Sequence, residues 1–446
     1  MTGNFIERPR WTCALGGALA AVGNLPQTVP ILHSGPGCAG NFAWTNNGSL
    51  GLNVTGPCLG LNVPATNIQE KEVVFGGLDR LREEIENALS IMDGQLYFVL
   101  TGCLPEVIGD DVEALISEFS AQKIPIISAS PAGFKGDSYY GYEEVLKTLI
   151  RSYIRPTQAR ATRLVNVWGL APGVDPFWRG NLDGIRELLS LLDLKSNFFF
   201  GPDSDLTSLA KASRAAKNIV VSGLYGLTAA KLFQEKFGVD YVQAPLPIGA
   251  SASERFLKIV GRALKIPGRK VNRAISNAGR RHYVYLEPII DVFNDMEAQR
   301  HVLIVGDANY ALALSDFFAQ DLGWLPELVA VVNDLSPDSQ KNLLDWQTKT
   351  GGTVPGKLIF ENRLSEISKA ALEIWPNSGA KYFNSKKPVF VAGSSLEREL
   401  AKSLGAAHLS LTYPISNRAV LTRGYTGYSG GLNLTEDAVS AVISER

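Results

Sequence analysis

The sequence predicts an α/β chain of three Rossmann-like domains, each a parallel sheet flanked by helices. Short apolar runs recur along it and alternate with segments of helical period, the pattern of parallel sheets covered on both faces. Its 446 residues exceed what one ordinary hydrophobic core serves. A basic, Pro-containing connector at residues 151–163 marks the first division, and a polar, basic stretch at 269–281 precedes the third unit. The domains are accordingly expected at residues 1–160, 161–295 and 296–446.

Taken in order, residues 69–92 place Val74, Leu78, Leu81, Ile85, Leu89 and Met92 at steps of three or four, which predicts one amphipathic helix whose other face, Arg80, Glu83, Glu84 and Glu86, is solvated. Leu96-Tyr97-Phe98-Val99-Leu100 reads as a buried strand, with Thr101-Gly102-Cys103 at its carboxyl end, where ligands gather in open parallel sheets. Glu106, Asp110 and Asp111 follow near the start of a helix running towards Phe119 and read as capping groups rather than catalytic ones. Ile124-Pro125-Ile126-Ile127 gives the next strand. The second domain opens with Leu164-Val165-Asn166-Val167-Trp168, continues through a helix with Ile185, Leu188, Leu189 and Leu192, and has strands at Asn197-Phe198-Phe199-Phe200 and Asn218-Ile219-Val220-Val221. The third repeats the pattern from His301-Val302-Leu303-Ile304-Val305-Gly306-Asp307 through strands at residues 328–332, 357–360 and 388–393.

Composition limits the partners. Lys and Arg total 43 against 44 Asp and Glu, a net charge of −1, so no global basic excess draws nucleic acid or an anionic membrane. Four cysteines do not make a disulfide scaffold, and no signal peptide or apolar run of spanning length is present, so a cytoplasmic protein in a reducing compartment is expected. Val305 is followed by Gly306-Asp307-Ala308-Asn309-Tyr310, without the Gly-x-Gly-x-x-Gly spacing of dinucleotide sites, and no Gly-x4-Gly-Lys-[Ser/Thr] phosphate loop occurs.

Cys13, Cys38 and Cys103 lie among small or turn-forming residues, in Thr12-Cys13-Ala14-Leu15-Gly16-Gly17, Ser34-Gly35-Pro36-Gly37-Cys38-Ala39-Gly40 and Thr101-Gly102-Cys103-Leu104-Pro105, so that backbone can approach a bulky inorganic group. They are 25 and 65 residues apart (38 minus 13, 103 minus 38), and no Cys-x2-Cys pair occurs, which disfavours zinc. Distant thiolates without a partner His suit an iron–sulfur cluster, and an odd supply of three points to a cluster shared with a second chain. Any one of them could instead be a buried small hydrophobe. Cys58, in Gly56-Pro57-Cys58-Leu59-Gly60, has similar neighbours, and spacing alone does not exclude it.

These motifs resemble component 1 of the nitrogenase superfamily. The resemblance rests on Cys13, on Gly35-Pro36-Gly37-Cys38, on Cys103-Leu104-Pro105-Glu106-Val107-Ile108-Gly109-Asp110-Asp111, and on Gln69-Glu70-Lys71-Glu72-Val73-Val74-Phe75-Gly76-Gly77. It extends to Pro245-Leu246-Pro247-Ile248-Gly249 and Tyr413-Pro414-Ile415. It implies that Cys13, Cys38 and Cys103 supply half of a P-cluster-like [8Fe-7S] centre, with a [4Fe-4S] cluster as alternative, at the interface with an α-type subunit in an α2β2 heterotetramer. An ATP-dependent Fe–S reductase is implied as electron donor. Cys58 has no counterpart in the three-cysteine pattern and is assigned a structural role.

No cysteine follows Cys103 and His408 lacks the aromatic setting expected of a cofactor ligand, so the resemblance is to a β-type, electron-relay subunit with no catalytic residue of its own. Departures from dinitrogen-reducing β chains, at Ser34-Gly35-Pro36-Gly37, at Ala132-Gly133 where a serine is usual, and in the absence of a long N-terminal extension, suggest the methylthio-alkane reductase branch. A β subunit of an iron-only or vanadium dinitrogenase and a cofactor-assembly scaffold are the alternatives. His33 reads either as tuning the cluster or as a hydrogen-bonded structural residue. The glycine-rich turn around Tyr425 and Tyr428 reads as an interface loop or as packing.

Overall fold

The computed structural model describes residues 7, 9–51, 63–157, 159–295, 297–376 and 384–444 and contains three parallel sheets in chain order. The first holds β1 (Thr28–His33), β2 (Leu96–Thr101) and β3 (Ile126–Ala129), side by side in that order. The second holds β4 (Ala161–Trp168), β5 (Lys195–Phe198), β6 (Ala215–Val220) and β7 (Tyr241–Gln243), ordered β5-β4-β6-β7. The third holds β8 (His301–Gly306), β9 (Leu325–Val331), β10 (Lys357–Phe360), β11 (Val389–Gly393) and β12 (Ala407–Ser410), ordered β10-β9-β8-β11-β12. All nine pairings are parallel, so this is the parallel-sheet α/β fold that the alternating pattern predicts.

Buried strands explain the apolar runs. Every residue of β1 and β2 is buried, and Phe98 in the middle of β2 is fully enclosed. A side chain of that size contributes about 2 kcal/mol by leaving water. One continuous core joins residues of all three sheets, from Leu32 through Val165 to Val302.

One expectation needs correction. Residues 69–92 form two helices rather than one, α3 (Glu70–Phe75) and α4 (Leu78–Ile91), after α1 (Ala14–Val22) and α2 (Pro36–Ser49). The break lies at Gly76, whose φ of 91° belongs to the left-handed region, and at Gly77, whose N–H donates to the Asp110 carboxylate at 3.0 Å. Val74, assigned to the core face, is 73 % exposed. The polar, basic stretch at residues 269–281 is itself most of a helix, Gly268–Leu286, which buries Val271, Ala274 and His282 and turns its charged residues outward.

A sealed polar network ties the second and third sheets. The Asn181 amide donates to Tyr310 Oη at 2.6 Å and to Asp175 Oδ2 at 3.3 Å, Tyr310 Oη donates to Asp175 Oδ1 at 2.6 Å, and Asn181 Oδ1 accepts from the Tyr425 N–H at 2.8 Å. Behind it, Gly180 and Gly184 let the chain at residues 422–427 pass in backbone contact, since a Cβ on either would fall 2.4 Å or less from a carbonyl oxygen. The turn around Tyr425 and Tyr428 is therefore packed within this chain, Tyr425 Oη donating to Asp437 at 2.7 Å.

Candidate metal-cluster site

Three neighbouring strands end on one edge of the first sheet, and their registers align the ends: His33 pairs with Thr101, and Leu100 with Ala129. The chain leaves β1 into α2, which has Gly35 as N-cap, Pro36 in its first turn and Cys38 just inside. It leaves β2 into α5 (Cys103–Ile108), whose first residue is Cys103, and β3 into a 3-10 turn at Gly133–Lys135. Cys38, Cys103 and Gly133 thus reach the same edge because a parallel sheet delivers successive strand ends to one side.

Cys13 arrives by another route. It caps α1, a helix in which every residue is buried. That helix packs on α7 (Ser138–Thr148) at backbone contact, because a Cβ on Gly17 would fall 2.1 Å from the Ser138 carbonyl oxygen and one on Gly141 2.0 Å from that of Ala14. The Ala14 N–H donates to the Gly136 carbonyl at 2.9 Å, Cys13 bridges Asp137, and Thr12 and Ser138 pair through their hydroxyls at 2.8 Å. The strand of contacts from residue 12 to residue 138 fixes the sulfur.

The structure brings the three predicted cysteines together as free thiols. Cys13 and Cys38 are half-buried and Cys103 is exposed. Gly133 sits between two of them: a Cβ there would lie 3.0 Å from Cys13 Sγ and 3.1 Å from Cys103 Sγ. Burial, with a smaller push from the neighbouring Cys13 and Cys103 sulfurs, moves the Cys38 thiol up, and a bound cation would favour its thiolate. Among the described residues no three His, Cys, Asp or Glu close on a point that could hold a single ion. Gly133, without a side chain, leaves the space between Cys13 and Cys103 open, which fits a bulky iron–sulfur group. Cys58 lies outside the described residues.

The acidic residues after Cys103 divide by role. Asp111 caps α6 (Val112–Ala121) by accepting the Ala114 N–H at 3.1 Å, as expected of it. Asp110 instead accepts from Gly77, and Glu106 pairs with Lys135 at 2.5 Å. Fully buried His33 bonds Thr66 at 3.2 Å and Asp110 at 3.1 Å, and burial lowers its pKa against the pull of that carboxylate. Both ring nitrogens are occupied within the chain, which is the structural reading of this residue. His408 is likewise bonded to the Ser394 carbonyl at 2.9 Å.

Around the thiols the surface is apolar and open. Val73, Val74 and Phe75 of α3, Leu104 and Val107 of α5, and Phe134 are exposed, Phe75 to 82 %. No residue type in this set distinguishes it by sequence from core positions. At the third sheet, where a dinucleotide would sit, the helix Ala308–Gln320 is capped by the Asp307 carboxylate, which takes the N–H groups of Asn309 and Tyr310. Those N–H groups are therefore taken up by the chain's own side chain and are not offered to a pyrophosphate.

A parallel α/β scaffold gathers free thiols from distant turns on one open edge, a donor set that fits a soft metal or an iron–sulfur group. The chain belongs to the family of nitrogenase component 1 type oxidoreductases, whose model matches residues 13–443. It is similar to the nitrogenase molybdenum-iron protein beta chain of Methanococcus maripaludis, at 22% identity over 99% of this chain and 95% of that one. The nitrogenase iron-iron protein beta chain of Rhodobacter capsulatus is 23% identical over 74% of this chain and 73% of its own. The cofactor biosynthesis protein NifE of Clostridium pasteurianum is 24% identical over 95% and 86%. The solved structure of nitrogenase Cp1 at pH 6.5 superposes with a TM-score of 0.77 at 17% identity, covering 100% of this chain and 95% of that one, which supports the fold.

Proposed function

We propose that this chain is the β-type subunit of a nitrogenase-like two-component reductase, and that Cys13, Cys38 and Cys103 hold half of a P-cluster-like [8Fe-7S] centre. The observation that carries this reading is the convergence of three free thiols on an edge that the described residues leave open. An α-type subunit supplies the other thiolates in an α2β2 assembly and seats on the exposed apolar residues of α3 and α5. When bound, the cluster relays electrons from an ATP-dependent Fe–S reductase to a cofactor in the α-type chain. The residues of this chain hold the sulfurs in place, donate hydrogen bonds to them and keep water from the inner face of the site. Such a complex works in the cytoplasm; among the described residues no helix is long and apolar enough to cross a membrane.

The substrate class proposed is a methylthio-alkane, cleaved reductively at carbon–sulfur to release a thiol. It rests on Ser34-Gly35-Pro36-Gly37 before Cys38 and on glycine at position 133. The runner-up is dinitrogen reduction of the iron-only or vanadium type, to which a similar iron-iron beta chain lends weight. An assembly scaffold is the third reading, and retention of all three cysteines argues against it. Purified complex with its reductase and ATP decides: thiol release from methylthio-ethanol is expected, and dinitrogen or acetylene reduction without thiol release overturns the substrate. Iron analysis and EPR of Cys38→Ala separate relay from scaffold, since a relay loses turnover with its cluster.

A further inference from the structure

We propose that Gly133 is a positioning residue for the cluster, its missing side chain and its backbone N–H together setting how Cys13 and Cys103 present their sulfurs. The inference rests on the assignment of those cysteines as cluster ligands. Gly133 does not have a left-handed backbone, so conformation does not demand glycine here. Space does. A methyl group would sit 3.0 Å from Cys13 Sγ, 3.3 Å from Cys13 Cβ and 3.1 Å from Cys103 Sγ, wedged between the two ligands.

The same residue is a donor. Its N–H points at Cys103 Sγ, 3.2 Å away. Hydrogen bonds to cluster sulfurs stabilise the more negative, reduced state and so raise the potential. The turn cannot back away from an added methyl without breaking other contacts. On one side Lys135 bonds Glu106 of α5 at 2.5 Å and the Ser130 carbonyl at 3.0 Å; on the other the Gly136 carbonyl accepts from Ala14, next to Cys13. Ala132, immediately before it, is fully buried. The turn is thus clamped to the elements that carry both cysteines, and Gly133 is where it meets their sulfurs.

Gly133→Ala keeps an allowed backbone and adds a methyl that pushes Cys103 Sγ away from the N–H now 3.2 Å from it, weakening that hydrogen bond. In the assembled complex this variant is expected to hold iron about tenfold less tightly against a chelator, to shift the cluster's midpoint potential negative and to change its EPR signal. Gly279→Ala, where an added Cβ meets nothing within 4 Å, is the control that leaves all three unchanged. Wild-type complex without iron overturns the cysteine assignment and this inference together. Iron in the wild type, with unchanged retention and potential in Gly133→Ala, overturns the inference alone. A readout independent of assembly is alkylation of the full metal-free chain: Gly133→Ala is expected to speed the reaction of Cys103 and not of Cys38, and equal Cys103 rates in variant and wild type count against Gly133.

Discussion

The edge of the first sheet and the junction of the second and third sheets both collect polar groups from remote parts of the sequence, but they finish them differently. At the junction Asp175, Asn181, Tyr310 and Tyr425 are buried and their hydrogen bonds close on one another. At the edge Cys103 is exposed, Cys13 and Cys38 are half-open, and the surrounding helices show Val74, Phe75 and Val107 to solvent. A buried polar group costs free energy unless it is paired, so the junction must be complete within the chain. Thiols and aliphatic side chains carry no such debt and can wait at a surface for another molecule.

That contrast predicts that substitutions at the junction damage the fold, whereas those at the edge damage only what the edge binds. Asn181→Leu should have the largest effect, about 4 kcal/mol lost from urea unfolding, because the N–H groups of Tyr425 and Thr426 and the acid at Asp175 lose their partner. A loss under about 1 kcal/mol would mean that water enters and the junction is not sealed. Gly141→Ala comes next, at about 3 kcal/mol, since its Cβ would meet the Ala14 carbonyl oxygen at 2.0 Å and α1 and α7 must separate. Because that contact also places Cys13, the variant sharpens the comparison by coupling fold to site, read out as a lower melting temperature together with faster alkylation of Cys13.

A pH series tests the junction without altering its shape. Burial raises Asp307 to about 7 and Asp175 to about 6, from 3.8 in an open chain. The native chain therefore keeps protons that the unfolded chain has released, and stability falls as pH rises from about 4 to about 7. Asp307→Asn can still cap its helix, so the expected result is a flatter melting-temperature profile across that window, and an unchanged slope would remove Asp307 as the cause. The smallest effect on the fold belongs to Cys103→Ala, within about 0.5 kcal/mol of wild type because the side chain is exposed. The same variant should lose cluster iron in the complex, and melting as low as Asn181→Leu would erase the distinction between the two regions.

Much of this was legible where local chemistry and tertiary outcome agree. Leu96 to Leu100 is apolar without interruption, and only a strand covered on both faces satisfies such a run. The three cysteines stood out because small and turn-forming neighbours are costly in a core element and useful beside a bulky ligand. The break between α3 and α4 was hidden, because the apolar spacing continues in phase across Gly76 and Gly77 while Asp110, 33 residues later, fixes the bend. Asn181 and Asp175 gave no signal at all, since their partner Tyr310 lies 129 and 135 residues away.

The order of residues alone carried the strand–helix alternation, the resemblance to the family, and the choice of Cys13, Cys38 and Cys103 as candidates, since these follow from side-chain pattern and from turns of a few residues. Only the folded chain decided that β1, β2 and β3 end in register, that glycines at positions 17 and 141 let two helices touch, and that Gly133 stands between two thiols. Those are distances between segments far apart in sequence, and they are set by packing of the whole core, which no local window contains.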